Sequence, residues 1–574
     1  MSKGILKALG AALLALGAVG MLLVTTHASG GGDQQWSTDT FADFCQGDMD
    51  GVDVWSISGT ARLDRAWWPN VRVNDVLAEG KAAPRVSFAL TNTGGATRTV
   101  FLAVWEDEHI EDHCPDIYFA RSLDGGRNWS PDVMVSGAHP SGLSRHTPDI
   151  AVRATDGSYA AVWQDDRHDD GDIFHAVSYD RGASWTPATP VYSGTGKQLL
   201  PRIAAHGDSG YLYAAWEDER DDDGDIYVAR HTGAVWTTPV EASDCITDAE
   251  QREPSLAVDA DGDAYLVWVD ERERDQYTGD VYFSRWLSGT TWGAWSADSR
   301  LSDPDMDYAF DPDVLAGPQG LLFATWVERV PTDPATYDFQ VVVGRSEDQG
   351  DTWTRSVVHR LSQASASNAF YASPAMGVDV RGRVYVAWVH SPDSQAATAN
   401  VLFSLSPDGG RHWTQPTVLS LPQHSVAASA APDLVVDFQG QAVVAWDDYR
   451  GVSAPQIYAT GYPANRYVAQ GEYSRIFDAN GLAAWDTITW SAVTAPATGI
   501  ALATRVMTAA EAGWTDWITH AAPGEAILHP AGGSIQYRAV FTSTGISTPL
   551  LEEVVISYAQ YQLFMPFVVR DSTT

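Results

Sequence analysis

A tryptophan that closes a short apolar run returns seven times, at Trp105, Trp163, Trp216, Trp268, Trp326, Trp388 and Trp446, at spacings of 52 to 62 residues. Repetition at such a period means that one supersecondary unit, unable to bury its apolar face alone, stacks on copies of itself. Each unit carries a proline and a short apolar run upstream of its tryptophan, as in Pro84-Arg85-Val86, Pro148-Asp149-Ile150 and Pro201-Arg202-Ile203. Proline at the head of such a run predicts a strand start. A glycine turn follows, then the tryptophan-bearing run, an acidic loop, a third run such as Asp225-Ile226-Tyr227, and a fourth run such as Val133-Met134-Val135. Four short antiparallel strands per unit describe a propeller blade. A solenoid repeat is usually shorter, and a sandwich does not repeat one four-strand unit seven times. The expected fold is therefore all-β, a seven-bladed β-propeller over residues 66–465.

The seventh unit lacks a fourth strand of its own, because the chain changes character after Gln456-Ile457-Tyr458. Upstream, Trp67-Trp68-Pro69-Asn70-Val71-Arg72-Val73 resembles the fourth strand of the first unit. Pairing of Val71 to Val73 with residues near Ile457 to Ala459 is expected to close the ring and remove its open edges.

Between the third and fourth strands stands a second repeat, SxDxGxxW, in four full copies: Ser122-Asp124-Gly126-Trp129, Ser178-Asp180-Gly182-Trp185, Ser346-Asp348-Gly350-Trp353 and Ser406-Asp408-Gly410-Trp413. The pattern suits a turn in which the aspartate accepts backbone N–H groups, glycine takes a positive φ and the indole is buried beneath. These residues resemble the Asp-box, or BNR, repeat of the sialidase-like superfamily. The resemblance implies a β-propeller in which the motif is structural. It departs from the sialidases in blade number, since they have six.

Beyond residue 465 the tryptophan repeat gives way to alternating runs, among them Ile500 to Val506, Ile535 to Val540 and Val554 to Tyr558. They predict a β-sandwich of jelly-roll type over residues 466–560, which residues 34–65 are placed to complete, with residues 561–574 as a tail. Lys3 and Lys7 followed by an apolar run to Val24 and small residues around Ala28 resemble a signal peptide over residues 1–28, with an uncleaved membrane anchor as the alternative. No other segment is apolar enough to span a bilayer, so the mature chain is expected to be secreted or at the cell surface, without a membrane span. Cys45, Cys114 and Cys245 are the three cysteines, and the topology predicts no bridge among them.

With 36 basic against 74 acidic residues the net charge is −38, which repels phosphate backbones and argues against a nucleic-acid partner. The loops between second and third strands carry Asp165-Asp166-Arg167, Glu217-Asp218-Glu219-Arg220 and Asp270-Glu271-Arg272, which read as ion pairs fixing a hairpin. Denser carboxylates around glycine turns, at Asp170, Asp172, Asp221, Asp223 and Asp225, make Ca2+ the one cofactor to consider there, against the simpler expectation of solvated turns.

For sialidase chemistry the resemblance implies an arginine cluster clamping a sugar carboxylate and a tyrosine nucleophile paired with a glutamate. The residues of this chain that could serve are Arg85, Arg145, Arg202 and Arg252, with Glu253, Tyr308 and Tyr371. Against it, aspartates occupy the position after the first-strand proline at Asp149, Asp313 and Asp433, where they oppose an anionic sugar. Two classes stay open: a propeller that binds glycan or a surface protein as a recognition or scaffolding module, and a glycoside hydrolase acting in the propeller mouth. The aspartates favour the first.

Overall fold

The computed structural model describes residues 34–38, 48–50, 52–54, 61–63, 67–75, 80–93, 96–108, 114–137, 143–167, 171–220, 224–244, 249–272, 279–333, 336–361, 370–391, 399–420, 431–448, 454–463, 467, 470–508, 513–543 and 547–560. The regions proposed as signal peptide and tail, together with Cys45 and Cys245, lie outside the described residues. Among those residues no helix is long and apolar enough to cross a membrane.

Seven four-stranded antiparallel sheets form a seven-bladed β-propeller. The first strands, Lys81–Thr93, Arg145–Val152, Gln198–Ala205, Gln251–Val258, Tyr308–Ala316, Phe370–Val378 and Asp433–Val436, each neighbour the next around the axis, and the last neighbours the first. The seventh sheet takes its outer strand from Val71–Arg72. Arg72 pairs with Tyr458 and Val71 with Ala459, as the alternating valines predict. The Val73 N–H donates to the Ile457 carbonyl at 2.8 Å. Asn74, buried, closes the seam with both ends of its amide: Nδ2 donates to Gln456 Oε1 at 2.8 Å, and Oδ1 accepts the Ile457 N–H at 2.9 Å.

The seven repeat tryptophans are wholly buried and fill the space between blades, where an indole contributes more apolar area than any other side chain. Burial obliges the indole N–H to find an acceptor, and in six of the seven blades the sequence supplies a carboxylate two residues on; the exception is Trp388, followed by His390. Trp163 Nε1 donates to Asp165 at 2.9 Å, Trp216 to Asp218 at 2.7 Å, Trp326 to Glu328 at 2.9 Å and Trp446 to Asp448 at 3.1 Å. That carboxylate is then neutralised by Lys81 in blade one (Asp107, 2.8 Å), by Arg167 in blade two (Asp165, 2.6 Å), and by Arg272 in blade four (Asp270, 2.7 Å). Arg167 and Arg272 also lie over Phe174 and Tyr282 of the third strands, at 4.0 and 4.5 Å. The recurring W-x-D-x-R corner is thus an indole–carboxylate–guanidinium lock on the hairpin.

At the other end of four blades the SxDxGxxW turns adopt the geometry their chemistry demands. In the first copy Ser122 Oγ donates to Asp124 Oδ1 at 2.9 Å and accepts the Gly126 N–H at 2.9 Å, while Asp124 accepts the Asn128 N–H at 3.0 Å. Bonds from Ser184 and Thr352 hold Asp180 and Asp348 down to about 2. Gly182 has φ +84°, and a Cβ there would sit 2.1 Å from the Phe119 ring of the preceding blade. Gly182→Ala is therefore expected to combine left-handed strain with overpacking, about 2–3 kcal/mol of lost stability, read as a lowered denaturation midpoint with an unchanged m-value.

The prolines do not open the first strands, contrary to the sequence expectation; in six blades they sit inside them. The residue before each proline, Ala83, Thr147, Leu200, Glu253, Asp311 and Ser373, has φ between +48° and +57°. At each the pairing register shifts, as between Ala82 and Arg85 or Phe310 and Asp313. Proline disfavours the right-handed helical region for its predecessor and offers no N–H to the ladder. A bulge with a left-handed residue satisfies both conditions and bends the strand.

A second unit has ten strands hydrogen-bonded into one connected sheet. Its backbone is Gln470–Val493, whose first part pairs with Gly532–Thr542 and whose second part pairs with Leu550–Gln560, Ala483 taking part in both. Tyr473, Ile488, Leu502, Ile535, Phe541 and Val554 belong to its separate core. Gln34–Thr38 pairs with Leu550–Gln560, and Asp48–Asp50 with Gln470–Val493. In sequence, the propeller interrupts this unit.

Candidate functional site

The bulge sets the site. After the recurring proline comes one residue per blade, Arg85, Asp149, Arg202, Ser255, Asp313, Ala375 and Asp433, preceded in the first six blades by the left-handed residue and its bulge. The aspartates tie blades together. Asp149 Oδ2 accepts the Ile203 N–H of blade three at 2.8 Å, Asp313 Oδ2 the Met376 N–H of blade six at 3.1 Å, and Asp433 Oδ2 the Val86 N–H of blade one at 2.6 Å. Ser255 does the same for Val314 at 3.1 Å and donates to Asp313 at 2.8 Å. Aspartate recurs here because the bulge frees an N–H on the neighbouring strand that needs an acceptor.

Between these tethers stand the two arginines. Arg85 Nη1 lies 3.7 Å from Asp433 Oδ1, and Arg202 Nη1 donates to the Pro201 carbonyl at 3.1 Å. Burial and the like charge of Arg85 lower Arg202 to about 10, against the opposing pull of Asp149, Asp313 and Asp433. Burial raises Asp433 to about 6 despite Arg85. A cavity of about 250 Å³ opens here, lined among others by Arg85, Arg202, Glu253, Asp311, Asp313 and Ser373. Glu253 Oε1 accepts from Arg252 Nη1 at 2.8 Å, and its Oε2 accepts the Asp311 N–H at 3.2 Å. Asp311 Oδ2 in turn accepts the Ser373 N–H at 2.6 Å. Burial, then the Glu253 charge, pushes Asp311 up to about 7.

Of the residues proposed for a sialidase clamp, Arg85, Arg202 and Glu253 line this one cavity. Arg252 stands behind Glu253, in ion pairs that also include Glu271 at 3.2 Å. Arg145 does not join them. It is 1% exposed and locked between blades one and two, 2.5 Å from Asp116 and 3.0 Å from Asp165, a buried ion pair apart from the cavity that Arg85 and Arg202 line. Tyr308 lies under Arg329, ring centroid to guanidinium 5.0 Å, and is not among the cavity residues. Tyr371 lies on the strand Phe370–Val378, its side chain outside the described set. Three converging arginines with a tyrosine–glutamate pair are therefore not assembled among the described residues. Asp311 and Ser373 were missed by the sequence reasoning; their signal was the position before proline.

For the acidic loops, Asp172 and Asp225 open third strands and are buried, with Ser193 Oγ donating to Asp172 Oδ2 at 3.0 Å. Asp170, Asp221 and Asp223 lie outside the described residues. Among the described residues no group of three or more His, Cys, Asp or Glu side chains converges as a metal site would require.

No family model matches the sequence, and no curated protein matches it. Among solved structures, the chain is similar to an α-L-arabinanase of Penicillium chrysogenum complexed with arabinobiose, at 14% identity over 70% of this chain and 100% of that one, with a TM-score of 0.39. It is similar to an ulvan lyase, a polysaccharide lyase, at 13% identity over 68% of this chain and 95% of that one, TM-score 0.43. A third similarity is to the endosialidase of phage phi92, at 10% identity over 69% of each chain, TM-score 0.40. The activities named belong to those proteins.

Proposed function

We propose that this chain is an exported, sialidase-like propeller of the Asp-box type that binds a neutral saccharide, free or on a surface glycoprotein, at the mouth of its central channel. The observation that supports this most is the cavity in which Arg85 and Arg202 face Asp313, Asp311 and Glu253. Interleaved guanidinium and carboxylate groups offer both donors and acceptors to sugar hydroxyls, and charge-assisted hydrogen bonds of this kind are the strong ones. The same carboxylates oppose a sugar acid. Export rests on the N-terminal lysines and apolar run, and the Asp-box assignment on the four SxDxGxxW turns. On a glycan array, neutral glycans are expected to bind and sialosides not to. Arg202→Ala is expected to weaken the best neutral ligand about tenfold or more, the loss of one charged hydrogen-bond donor. Sialoside binding lost in Arg202→Ala would instead support the clamp and the hydrolase alternative.

A further inference from the structure

In blades one to four the first strand starts against the preceding blade in one repeated way. The N–H of its first residue donates to the carbonyl just ahead of the preceding blade's third strand: Lys81 to Pro455 at 2.9 Å, Arg145 to Pro115 at 3.0 Å, Gln198 to Gly171 at 2.9 Å and Gln251 to Gly224 at 2.9 Å. Each of these residues also pairs with the carboxylate that ends its own second strand, Asp107, Asp165, Asp218 or Asp270. At three interfaces the basic side chains match the buried carboxylates one for one. Lys81 meets Asp107, beside the neutral Gln456; Arg145 and Arg167 meet Asp116 and Asp165; Arg300 and Arg355 meet Asp280 and Glu328. At the two interfaces flanking blade three the buried carboxylates persist, Asp172 with Asp218 and Asp225 with Asp270, and Arg220 and Arg272 keep the place of Arg167. The place of Arg145, however, is taken by the neutral Gln198 and Gln251. Both glutamines are 0% exposed. Gln198 Nε2 donates to the Gly196 carbonyl at 3.1 Å and to Asp218 Oδ1 at 3.4 Å, so its Oε1 points away from that carboxylate, and this Oε1 has no hydrogen-bond partner among the described residues. Neither amide atom of Gln251 has one. A buried amide oxygen without a donor is costly, and a buried carboxylate beside it calls for positive charge.

We propose that a monovalent metal cation, sodium or potassium, binds at each of the two interfaces flanking blade three, held by Gln198 Oε1 with Asp172 and by Gln251 Oε1 with Asp225, in the place that the Arg145 guanidinium fills between blades one and two. The repeat itself supplies the argument, because a position that is cationic in two blades and an orphaned amide in the next two keeps the same carboxylate neighbours throughout. Asp116 and Asp172 are equivalent down to their hydroxyl partners: Ser136 Oγ donates to the first and Ser193 Oγ to the second, each at 3.0 Å. Oxygen donors suit a hard cation, and one carboxylate per site balances a single charge, so no cluster of three acidic side chains is needed. Gln198 and Arg202 share the strand Gln198–Ala205, so the ion between blades two and three also fixes the strand that brings Arg202 to the mouth.

The test uses the full chain, stripped of metal on a chelating resin into choline chloride, and follows its melting temperature as sodium, potassium or calcium chloride replaces choline at constant ionic strength. Sodium or potassium is expected to raise it saturably by about 2 °C or more, as an ion bound only by the folded state must, and the one that acts at lower concentration identifies the ion. Gln198→Arg combined with Gln251→Arg supplies both guanidiniums; it is expected to melt in choline where the wild type melts in the favoured salt, and to have lost the salt response. Gln198→Met combined with Gln251→Met keeps much the same volume without the ligand oxygen, is expected to lose the response as well, and decides the matter if the arginine variant does not fold. Equal melting temperatures in choline, sodium and potassium overturn the proposal and assign each amide a buried water. A rise with calcium alone overturns the monovalent ion, and a wild-type response retained in either double variant overturns the site.

Discussion

Arg145→Met is expected to destabilise the propeller by about 3–5 kcal/mol, the cost of removing one partner from a buried ion pair, and to act on folding rather than on ligand affinity. The guanidinium is 1% exposed and bridges Asp116 of blade one to Asp165 of blade two. Methionine fills much the same volume, so the loss isolates charge from packing. Asp165 keeps Arg167 at 2.6 Å, whereas Asp116 keeps Ser136 Oγ at 3.0 Å as its hydroxyl partner. Chemical denaturation of the variant should show the midpoint shift. An unshifted midpoint accompanied by loss of glycan binding would return Arg145 to the ligand site.

Breaking the ring seam should cost more. Val73→Pro removes the N–H that reaches Ile457 at 2.8 Å, and the ladder hydrogen bond lost to proline leaves a carbonyl unsatisfied at about 1–3 kcal/mol. Asn74→Ala leaves the Ile457 N–H and the Gln456 amide without the partners they have at 2.9 and 2.8 Å, at about 1–3 kcal/mol for each buried group left unsatisfied. Together they are expected to separate blades one and seven, seen as early hydrogen exchange at Ile457 and Ala459 and a broadened thermal transition. A sharp transition at the wild-type temperature would mean that the seam contributes little.

The ring was legible because its signals are periodic and chemically obligatory. Six of the seven indoles are followed two residues on by the carboxylate that accepts their N–H, SxDxGxxW fixes its own turn, and a missing fourth strand at one end matches a spare strand at the other. The site was legible only in part. Arg85, Arg202 and Glu253 announce themselves by residue type near a recurring proline, but proline at the head of an apolar run predicts a strand start. Its bulge, which depends on register against the second strand, lies beyond local sequence. Arg145 misled because it occupies its blade's first strand much as Arg252 does in another, and only packing reveals Asp116 and Asp165 around it. Asp311 and Ser373 stayed hidden since the position before proline holds six different residue types, Ala83 and Leu200 among them.

The seam has a consequence in time. Asn74 and Ile457 are 383 residues apart in the chain, so the outermost strand of the last blade is made among the first and can dock only when nearly all the propeller has been synthesised. At about 5–20 residues per second, the segment from Val71 to Asn74 waits roughly 20–80 s for its partner strand, its peptide groups unpaired throughout. Contacts of such long range are slow to form and leave sticky edges open meanwhile. For this architecture the vulnerable moment is the interval before closure, and kinetic protection of the nascent chain matters as much as the final packing.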